Sequence, residues 1–329
     1  MIHIIAISLL IVDIYIGCET LAEETFWGFG AVPNVIYFVH VDNYLHILMR
    51  LSLFDQWGAR NSTPIWNAFR TGLNRLGIKY GSHDWDADVA VIWSVVWAGR
   101  MRSNHEVWHR FRNTGRPVMI LEVGSLHRGQ TWKLAANGLG LDAVWGRTQD
   151  FDRPRRLGLT LTPWHQAGEH ICVATQRHDS QQWQGQPAMH EWLERTVRLL
   201  SQHTDRPIHV RMHPRQRVQI PAGAVLERPR AVANTYDDFD FDSAISGAWA
   251  VVNWNSGAAI RAAMLGVPVF VGSNSLAAPV GNLDWNQIHN PCRPDREQWL
   301  IDISHTEWTR EEIQTGDPIQ RILLGFESL

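Results

Sequence analysis

Polar residues follow three apolar segments of strand length in the second half of the chain. They are Gln176, Arg177, Asp179 and Ser180 after the first segment, Arg211, His213 and Arg215 at the end of the second, and Asn255, Ser256 and Gly257 after the third. Guanidinium and imidazole groups, and the free amides at the start of a helix, bind phosphate and other anions. Any one of these residues could instead be a helix cap, a structural histidine or a solvated arginine. Together they predict an anion-binding site.

Two acidic residues occupy comparable positions in the first half. Glu122 ends the apolar run PVMILE, and Asp42 follows VIYFVHV. A carboxylate at a strand end can act as a general base that accepts the proton of a hydroxyl nucleophile. We predict Glu122 as this base and Asp42 as the second candidate. The alternative for Glu122 is a structural carboxylate that pairs with Arg128 or caps the turn at Gly124 and Ser125.

Two acidic segments could bind a divalent cation in a transferase of the metal-dependent type. HDWDAD at residues 83–88 precedes an apolar run instead of following one, which predicts a solvated turn at the opposite edge of the sheet. YDDFDFDSA at residues 236–244 precedes a helical segment and predicts a charge cluster at its amino end. Cys18, Cys172 and Cys292 are widely spaced and form no zinc-binding pattern. No metal site is therefore predicted.

The elements that must position these residues alternate along the chain. Apolar runs at 34–41, 89–95, 117–123, 170–176, 207–214, 248–255 and 268–272 predict strands, and segments at 64–77, 104–113, 189–203, 257–266, 295–305 and 308–316 predict helices. Strands that alternate with helices predict an α/β fold of doubly wound parallel sheets. The length of 329 residues suits two domains. We predict a first domain over 1–165, a second over 166–300, and terminal helices over 301–329 that could pack back on the first.

The composition favours a globular protein with a small net charge. Hydrophobic residues make up 45% of the chain and the formal net charge is -3, which argues against general attraction to nucleic acid or anionic lipid. Of the 30 basic residues only Lys79 and Lys133 are lysine, so the surface is rich in guanidinium groups that suit phosphate. The chain has 17 tryptophans, and because indole rings stack on sugars and bases, this number favours ligands of those kinds.

An apolar run near the start, Ile4 to Val12, could be mistaken for a membrane anchor or a secretory signal. It is too short to span a bilayer, and no lysine or arginine precedes it. We predict an added strand or an over-extended start, with no membrane association. The expected location is the cytoplasm, or the host cytoplasm if the chain is encoded by a phage.

Several motifs recur in one known family in the same order. They are Gln176 with Asp179-Ser180-Gln181, His213-Pro214, the Asn253–Gly257 turn, the Gly266–Val269 strand start, and the Glu122–Arg128 stretch. Over about residues 115–315 the chain resembles the capsular-polysaccharide glycosyltransferases, which include the sugar-acid transferases of capsule synthesis. In the Glu122–Arg128 stretch Ser125-Leu126 replaces the aromatic residue of that family.

The resemblance implies a GT-B glycosyltransferase, in which two Rossmann-like domains face a cleft. The second domain would bind a nucleotide-sugar without an obligatory metal or another cofactor, and a UDP-sugar is favoured over a CMP-sugar. His213 and the Ser256 turn would hold the phosphates of the donor. The loop 176–181 would meet its ribose, base or sugar. The enzyme would be of the hexosyltransferase type.

The acceptor is predicted from a second resemblance. The first half is similar to open reading frames of tailed-phage genomes in the segments NVIYFVHVDNYLH, HDWDADVAVIWSVVWAGRM and FRNTGRPVMILEVGS. Phage transferases of that general kind commonly glycosylate hydroxymethylated pyrimidines in their own DNA. The preferred acceptor is therefore 5-hydroxymethylcytosine in DNA, with Arg128, Arg100 and Arg102 as contacts and further arginines at Arg110/Arg112 and Arg153/Arg155/Arg156 for backbone phosphates. A capsule-like polysaccharide or oligosaccharide is the alternative acceptor. A non-catalytic sugar-binding module, or a GT-B-fold epimerase or phosphorylase, is the alternative of another class.

Overall fold

The strands and helices of the protein come from a computed structural model that describes residues 38–41, 44–47, 49–148, 150–235 and 237–328. The strands are β1 Phe38–Val41, β2 Tyr44–Ile47, β3 Leu51–Leu53, β4 Tyr80–Ser82, β5 Val89–Trp93, β6 Val118–Val123, β7 Thr131–Ala136, β8 Val144–Trp145, β9 His170–Ala174, β10 Ile208–Arg211, β11 Ala224–Glu227, β12 Ala248–Val252, β13 Val269–Phe270 and β14 Glu307–Thr309. The helices are α1 Thr63–Arg75, α2 Asn104–Asn113, α3 Arg153–Arg156, α4 Met189–Ser201, α5 Phe241–Ile245, α6 Gly257–Met264, α7 Glu297–Ser304, α8 Arg310–Thr315 and α9 Asp317–Leu324. The predicted α/β class with parallel sheets is confirmed.

The first sheet has the strand order β14-β7-β6-β5-β3-β4, and β8 pairs with β7. The strands β4, β3, β5 and β6 are parallel. Of these, β5 and β6 correspond to predicted strands, whereas β3 and β4 were not predicted. In contrast to the prediction, β7, β8 and β14 add an antiparallel part. For β7 the reason is the short connection of seven residues between Val123 and Thr131. A parallel crossover needs a dozen residues or more, so the chain can only turn back here.

The strand predicted at 34–41 is also placed differently by the structure. Its described part, β1, pairs antiparallel with β2 in a separate two-stranded sheet. Only two residues separate β1 from β2, which suits a hairpin and excludes a crossover. The first strand of the parallel sheet is β3, which lies in the LSL segment that the periodicity did not mark as a strand.

The second sheet is wholly parallel and has the order β11-β10-β9-β12-β13. The chain starts in the centre at β9, fills one side with β10 and β11, and then crosses to β12 and β13 on the other side. Strand order therefore reverses at β9. In open parallel sheets, ligands bind at the carboxyl ends of strands beside such a reversal.

The helices cover the sheets through apolar faces that the sequence shows clearly. On α1 the buried residues Ile65, Trp66, Phe69 and Leu73 recur at helical spacing, and Pro64 stands in its first turn, where its missing amide costs nothing. The same spacing places Trp192, Leu193, Val197 and Leu200 of α4 against the second sheet. Each large side chain removed from water contributes about 1.5–3 kcal/mol.

The C-terminal elements return to the first sheet. Strand β14 pairs antiparallel with β7, and α8 follows it with a capping box between Thr309 and Glu312. Helix α8 lies so close to α1 that a Cβ atom on Gly72 would stand 2.5 Å from the carbonyl oxygen of Ile313. The tail from residue 307 onward is therefore part of the layer around the first sheet. Residues from Ile36 to Leu329 form one unit, and the domain division at 165/166 stays a prediction.

No helix among the described residues has the length and apolar character needed to cross a bilayer. The apolar run Ile4 to Val12 lies outside the described residues.

Arg153 ties α3 to the C-terminal elements. Its side chain is buried, donates to the carbonyl oxygens of Ser304 and Glu307 at 2.8 Å each, and forms an ion pair with Glu312. The guanidinium also lies over the ring of Trp308. This corrects the sequence interpretation that grouped Arg153 with DNA-binding arginines, because all of its donors face the protein interior.

Replacement of Arg153 should therefore destabilise the fold. We expect Arg153→Met to lower the free energy of unfolding by about 3–5 kcal/mol, because Glu312 and two buried carbonyl groups lose their partner. Urea unfolding followed by circular dichroism measures the change. Arg155→Met is the matched control, since Arg155 is exposed and pairs only with Asp152 nearby, and it should unfold like the wild type. Equal unfolding of all three proteins would contradict this account.

Candidate functional site

Three predicted strand ends meet at the carboxyl edge of the second sheet. The backbone amide of His213 donates to Thr175 Oγ1 at 2.8 Å, and the amide of Asn255 donates to Gln176 Oε1 at 2.7 Å. Because Thr175 and Gln176 are consecutive, the ends of β10 and β12 are both fixed to the end of β9. These strands flank β9, so they lie about 10 Å apart, which is twice the strand spacing. The structure thus brings the His213 and Ser256 segments to one edge.

The start of helix α6 leaves backbone donors free at this edge. Ser256 is extended, and both its amide and its hydroxyl donate to Asn253 Oδ1, at 2.8 and 3.1 Å. Its hydroxyl therefore does not cap the helix. Among the described residues, the amides of Gly257 and Ala258 have no hydrogen-bond acceptor. Two free amides and the helix dipole make this end of α6 suitable for an anion.

His213 is held as a neutral hydrogen-bond donor. Its Nδ1 accepts from the amide of Arg215 at 3.1 Å, which leaves the proton of a neutral ring on Nε2. Burial, followed by the positive charges of Arg177, Arg215 and Arg128, lowers the pKa of His213 to about 4. Near neutral pH the ring can therefore donate through Nε2 without carrying a charge.

Two predicted donor-binding arginines pair with carboxylates of the same half, and Ser180 bonds to the backbone. Arg177 pairs with Asp179, and this hydrogen bond holds the pKa of Asp179 below its usual range. Arg211 is buried between Glu227 and Asp240, with its guanidinium facing Phe241. The predicted phosphate-binding role of Arg211 needs correction, because its guanidinium is buried and both of its ion pairs are with carboxylates of the protein. Ser180 is buried, and its hydroxyl donates to the carbonyl oxygen of Arg177 at 3.1 Å.

Glu122 lies at the carboxyl edge of the first sheet, near the end of β6. Its Oε2 accepts from the hydroxyl of Ser94 at 2.5 Å, and its Oε1 accepts from the amide of Val123 at 2.7 Å. Ser94 follows β5 in a left-handed conformation with φ of 67°. The anticipated pairing of Glu122 with Arg128 is not formed, because Arg128 pairs with Asp237. Glu122 is half-buried and oriented by neutral donors, an arrangement compatible with a base.

The two carboxyl edges face each other and are joined by backbone bonds. Trp97 donates to the carbonyl oxygen of Asp179 at 2.7 Å, and Gln181 donates to that of Val95 at 2.9 Å, on either side of an antiparallel bridge between Val96 and Ser180. The segment 94–97 follows β5, beside the strand that carries Glu122, and the segment 179–181 follows β9. The predicted base and the predicted anion site therefore lie on facing edges.

A second contact brings the edges close on the side of α6. The turn after Glu122 packs against the first residue of the helix, so that a Cβ atom on Gly257 would stand 2.6 Å from the Cβ of Ser125. Only glycine fits this position without displacing the turn. The glycine that the sequence suggested as part of a phosphate seat is thus also required for the approach of the two edges.

Glu307 of β14 holds the turn that makes this contact, a role that sequence reasoning missed. Its fully buried carboxylate accepts from the amide and hydroxyl of Ser125 at 2.6 and 2.8 Å, from the amide of Leu126 at 3.0 Å and from Thr131 Oγ1 at 2.7 Å. The segment HTEWT carries no motif. Only the pairing of β14 with β7 reveals where this carboxylate points.

The predicted acceptor contacts are dispersed. Arg100 and Arg102 are exposed on the connection from β5 to α2, and Arg100 donates to the carbonyl oxygen of Gly58 at 3.3 Å. Arg128 reaches across to Asp237. Asp42 lies outside the described residues. The described residues contain no group of three or more His, Cys, Asp or Glu side chains that could hold a metal ion.

The first acidic segment, 83–88, is a turn as predicted, but it directly follows β4 and so begins at the carboxyl edge of the first sheet and not at the opposite edge. The second, predicted ahead of a helix, overlaps α5, which begins at Phe241. Asp84 and Asp88 of the first segment pair with Arg50. In the second segment Asp242 pairs with Arg261 of α6. Each of these carboxylates has a cationic partner and a structural explanation.

Comparison with known proteins gives distant structural similarities, among them two transferases of one organism. No protein-family model and no curated protein matches the sequence. The structure is similar to Thermosulfurimonas dismutans KpsC, described as a beta Kdo 2,4 transferase, with a TM-score of 0.47, 13% identity, and coverage of 79% of this chain and 91% of that chain. It is also similar to KpsC of the same organism described as a beta Kdo 2,7 transferase, with a TM-score of 0.45, 13% identity, and coverage of 83% and 99%. Similarities of this size do not identify an activity.

Loss of the Glu307 charge should loosen the turn at Ser125 and Leu126. In Glu307→Gln an amide nitrogen replaces one oxygen, so at least one buried donor of Ser125, Leu126 or Thr131 loses its acceptor. We expect the free energy of unfolding to fall by about 2 kcal/mol and hydrogen exchange at the Ser125 and Leu126 amides to accelerate. Exposed Glu311→Gln is the control and should change neither quantity. Unaltered exchange in Glu307→Gln would remove the assigned role.

His213 should make stability depend on pH. Its folded pKa of about 4 lies below the unfolded value of about 6.5, so the unfolded state binds a proton that the folded state rejects between these values. Stability from this group is therefore lost as pH falls from about 6.5 to 4. We expect the free energy of unfolding, measured with urea, to fall more between pH 6.5 and 4 for the wild type than for His213→Gln. His190→Gln, at an exposed position, should follow the wild type, and parallel curves for all three would contradict the prediction.

Proposed function

We propose that the protein is a glycosyltransferase that moves a sugar from a nucleotide-sugar to a hydroxyl group. The observation that carries this proposal is the pairing of segments 94–97 and 179–181. It sets the half-buried carboxylate of Glu122 on one sheet edge against the other edge, which carries the predicted anion-binding residues. Direct displacement of a sugar phosphate by a hydroxyl group uses both features, a base for the hydroxyl proton and donors for the leaving phosphate. The sequence resemblance to capsular-polysaccharide glycosyltransferases agrees with it.

The donor phosphates would lie at the edge of the second sheet. Nε2 of His213 and the free amides of Gly257 and Ala258 offer neutral donors, and Arg177 and Arg215 add positive charge nearby. These groups suit the negative charge that develops on a leaving phosphate. They would serve without a metal ion. A UDP-sugar remains favoured over a CMP-sugar as the donor.

The reaction would proceed by attack of an acceptor hydroxyl on the anomeric carbon. The new bond forms between the acceptor oxygen and that carbon, the bond from the carbon to the phosphate oxygen breaks, and the nucleotide leaves with the electron pair. Glu122 would accept the hydroxyl proton, and Ser94 would orient its carboxylate. Asp42 remains the second candidate base.

We propose a saccharide hydroxyl as the acceptor, with 5-hydroxymethylcytosine in DNA as the second candidate. The DNA candidate relied on exposed arginines that could contact phosphates. Arg153 is buried, and Arg155 and Arg156 pair with Asp152 and Asp150. The charge available for DNA at this group is therefore largely neutralised, which favours the saccharide.

A transfer assay tests the proposal. UDP- and CMP-sugars are each mixed with oligosaccharides, hydroxymethylated DNA and plain DNA, with and without EDTA, and the mass gain of each acceptor is measured. We expect an oligosaccharide to gain one sugar mass, with no loss of activity in EDTA. Labelling of hydroxymethylated DNA alone would select the second acceptor, and loss in EDTA would contradict the metal-independent site. No transfer to any acceptor would favour the sugar-binding module or the epimerase.

Two variants separate catalysis from donor binding. Glu122→Gln should lower the transfer rate at least 100-fold and leave nucleotide affinity unchanged, because only the base is lost. His213→Ala should weaken nucleotide binding about tenfold, because a hydrogen bond to a charged group is lost. Glu106→Gln, in the first turn of α2, is the control for charge removal. Full transfer by Glu122→Gln and also by Asp42→Asn would refute both base assignments.

A further inference from the structure

One carboxylate bridges arginines from the two facing edges. Asp237 Oδ2 lies 2.5 Å from Nη2 of Arg128, and its Oδ1 lies 2.5 Å from Nη2 of Arg215. Arg128 belongs to the connection after β6, and Arg215 follows His213 after β10. The two arginines thus present a pair of cationic groups to one anion, and each of the two oxygens of that anion is engaged separately.

This bridge lies beside the proposed phosphate site. Arg128, Arg215 and Asp237 are all close enough to His213 to influence the pKa of its imidazole. Arg177 acts on the same ring. The Asp237 carboxylate is therefore an anion held among the groups that would receive the anionic part of a donor.

Asp237 is carried by an exposed loop with a narrow base. An antiparallel bridge between Ala231 and Phe239 closes the loop, and the amide of Val232 donates to the carbonyl oxygen of Asp238. Residues 231–235 are exposed. Asp237 itself adopts a left-handed conformation with φ of 54°, which aspartate tolerates better than most residues do. Among the described residues 231–239, only Asp237 forms an ion pair with an arginine outside the loop.

We propose that the Asp237 carboxylate occupies the place of an anionic group of the ligand, and that this ligand group displaces it and releases the loop 231–239. The inference rests on the proposed function, since it concerns the same site. The ligand group has two anionic oxygens, as a phosphate or a carboxylate has, because it must satisfy Arg128 and Arg215 together. The Asp237 carboxylate thus competes with the donor for Arg128 and Arg215.

The proposal predicts that removal of the competitor strengthens binding. Asp237→Asn keeps the shape of the side chain and removes its charge, so the dissociation constant for UDP should fall at least fivefold. Asp242→Asn is the matched control, because Asp242 forms a similar ion pair with Arg261 on α6 and should leave binding unchanged. Calorimetric titration with UDP, CMP, pyrophosphate and glucuronate separates a phosphate from a carboxylate as the displacing group.

Loop release is measured independently by hydrogen exchange. Binding of UDP or pyrophosphate to the wild type should accelerate exchange over 231–239, and in Asp237→Asn exchange there should be fast before any ligand is added. Arg215→Gln should weaken UDP binding and also accelerate exchange, because one arm of the bridge is lost. Equal or weaker UDP binding by Asp237→Asn, or slower loop exchange in the presence of UDP, would overturn the proposal.

The two proposals fail in different ways. If the protein binds UDP with release of the loop but transfers no sugar, the displacement is supported and the proposed activity is refuted. If the protein transfers sugar but Asp237→Asn binds UDP no better than the wild type, the activity is supported and the displacement is refuted.

Discussion

The burial of the Glu307 carboxylate is the constraint on which the facing arrangement depends. A charge that is shielded from water must be fully hydrogen-bonded, and four donors of Ser125, Leu126 and Thr131 meet that demand. These bonds fix the turn after Glu122 in one conformation. The same turn packs against Gly257 through Ser125. Glu307, a residue of the last strand, therefore determines how closely the two sheet edges approach each other.

The proposed anion site would use dipoles and neutral donors more than free charge. Helix α6 offers amides, and His213 is neutral because of its burial and its arginine neighbours. The nearby arginines are compensated by Asp179 and Asp237. An uncompensated arginine cluster in a half-buried edge would repel itself and destabilise the fold. Pairing with carboxylates removes that cost. Under the proposed displacement, an incoming anion would replace a carboxylate as the partner of these arginines.

Much of the fold could be predicted because its elements bury one face. The periodicity located α1, α4, β9 and β12 nearly at their observed bounds. The antiparallel strands β7, β8 and β14 could not be predicted in this way, since an apolar run does not show which neighbour it pairs with. Strand ends indicated His213 and Glu122 as candidates. The predicted phosphate contacts of Arg153 and Arg211 needed correction, because the sequence does not show whether the partner of an arginine is a ligand or a carboxylate of the protein.

The arrangement of the site depends on contacts between distant parts of the sequence. Residues 95–97 meet 179–181, Ser125 meets Gly257, and the same turn meets Glu307. Each contact joins residues more than 80 positions apart, and none carries a strong local signal. Neither sheet edge can therefore orient its polar groups towards the other until both sheets and β14 are formed. Strand ends alone mark where chemistry can occur, whereas these three long-range contacts decide which groups face each other.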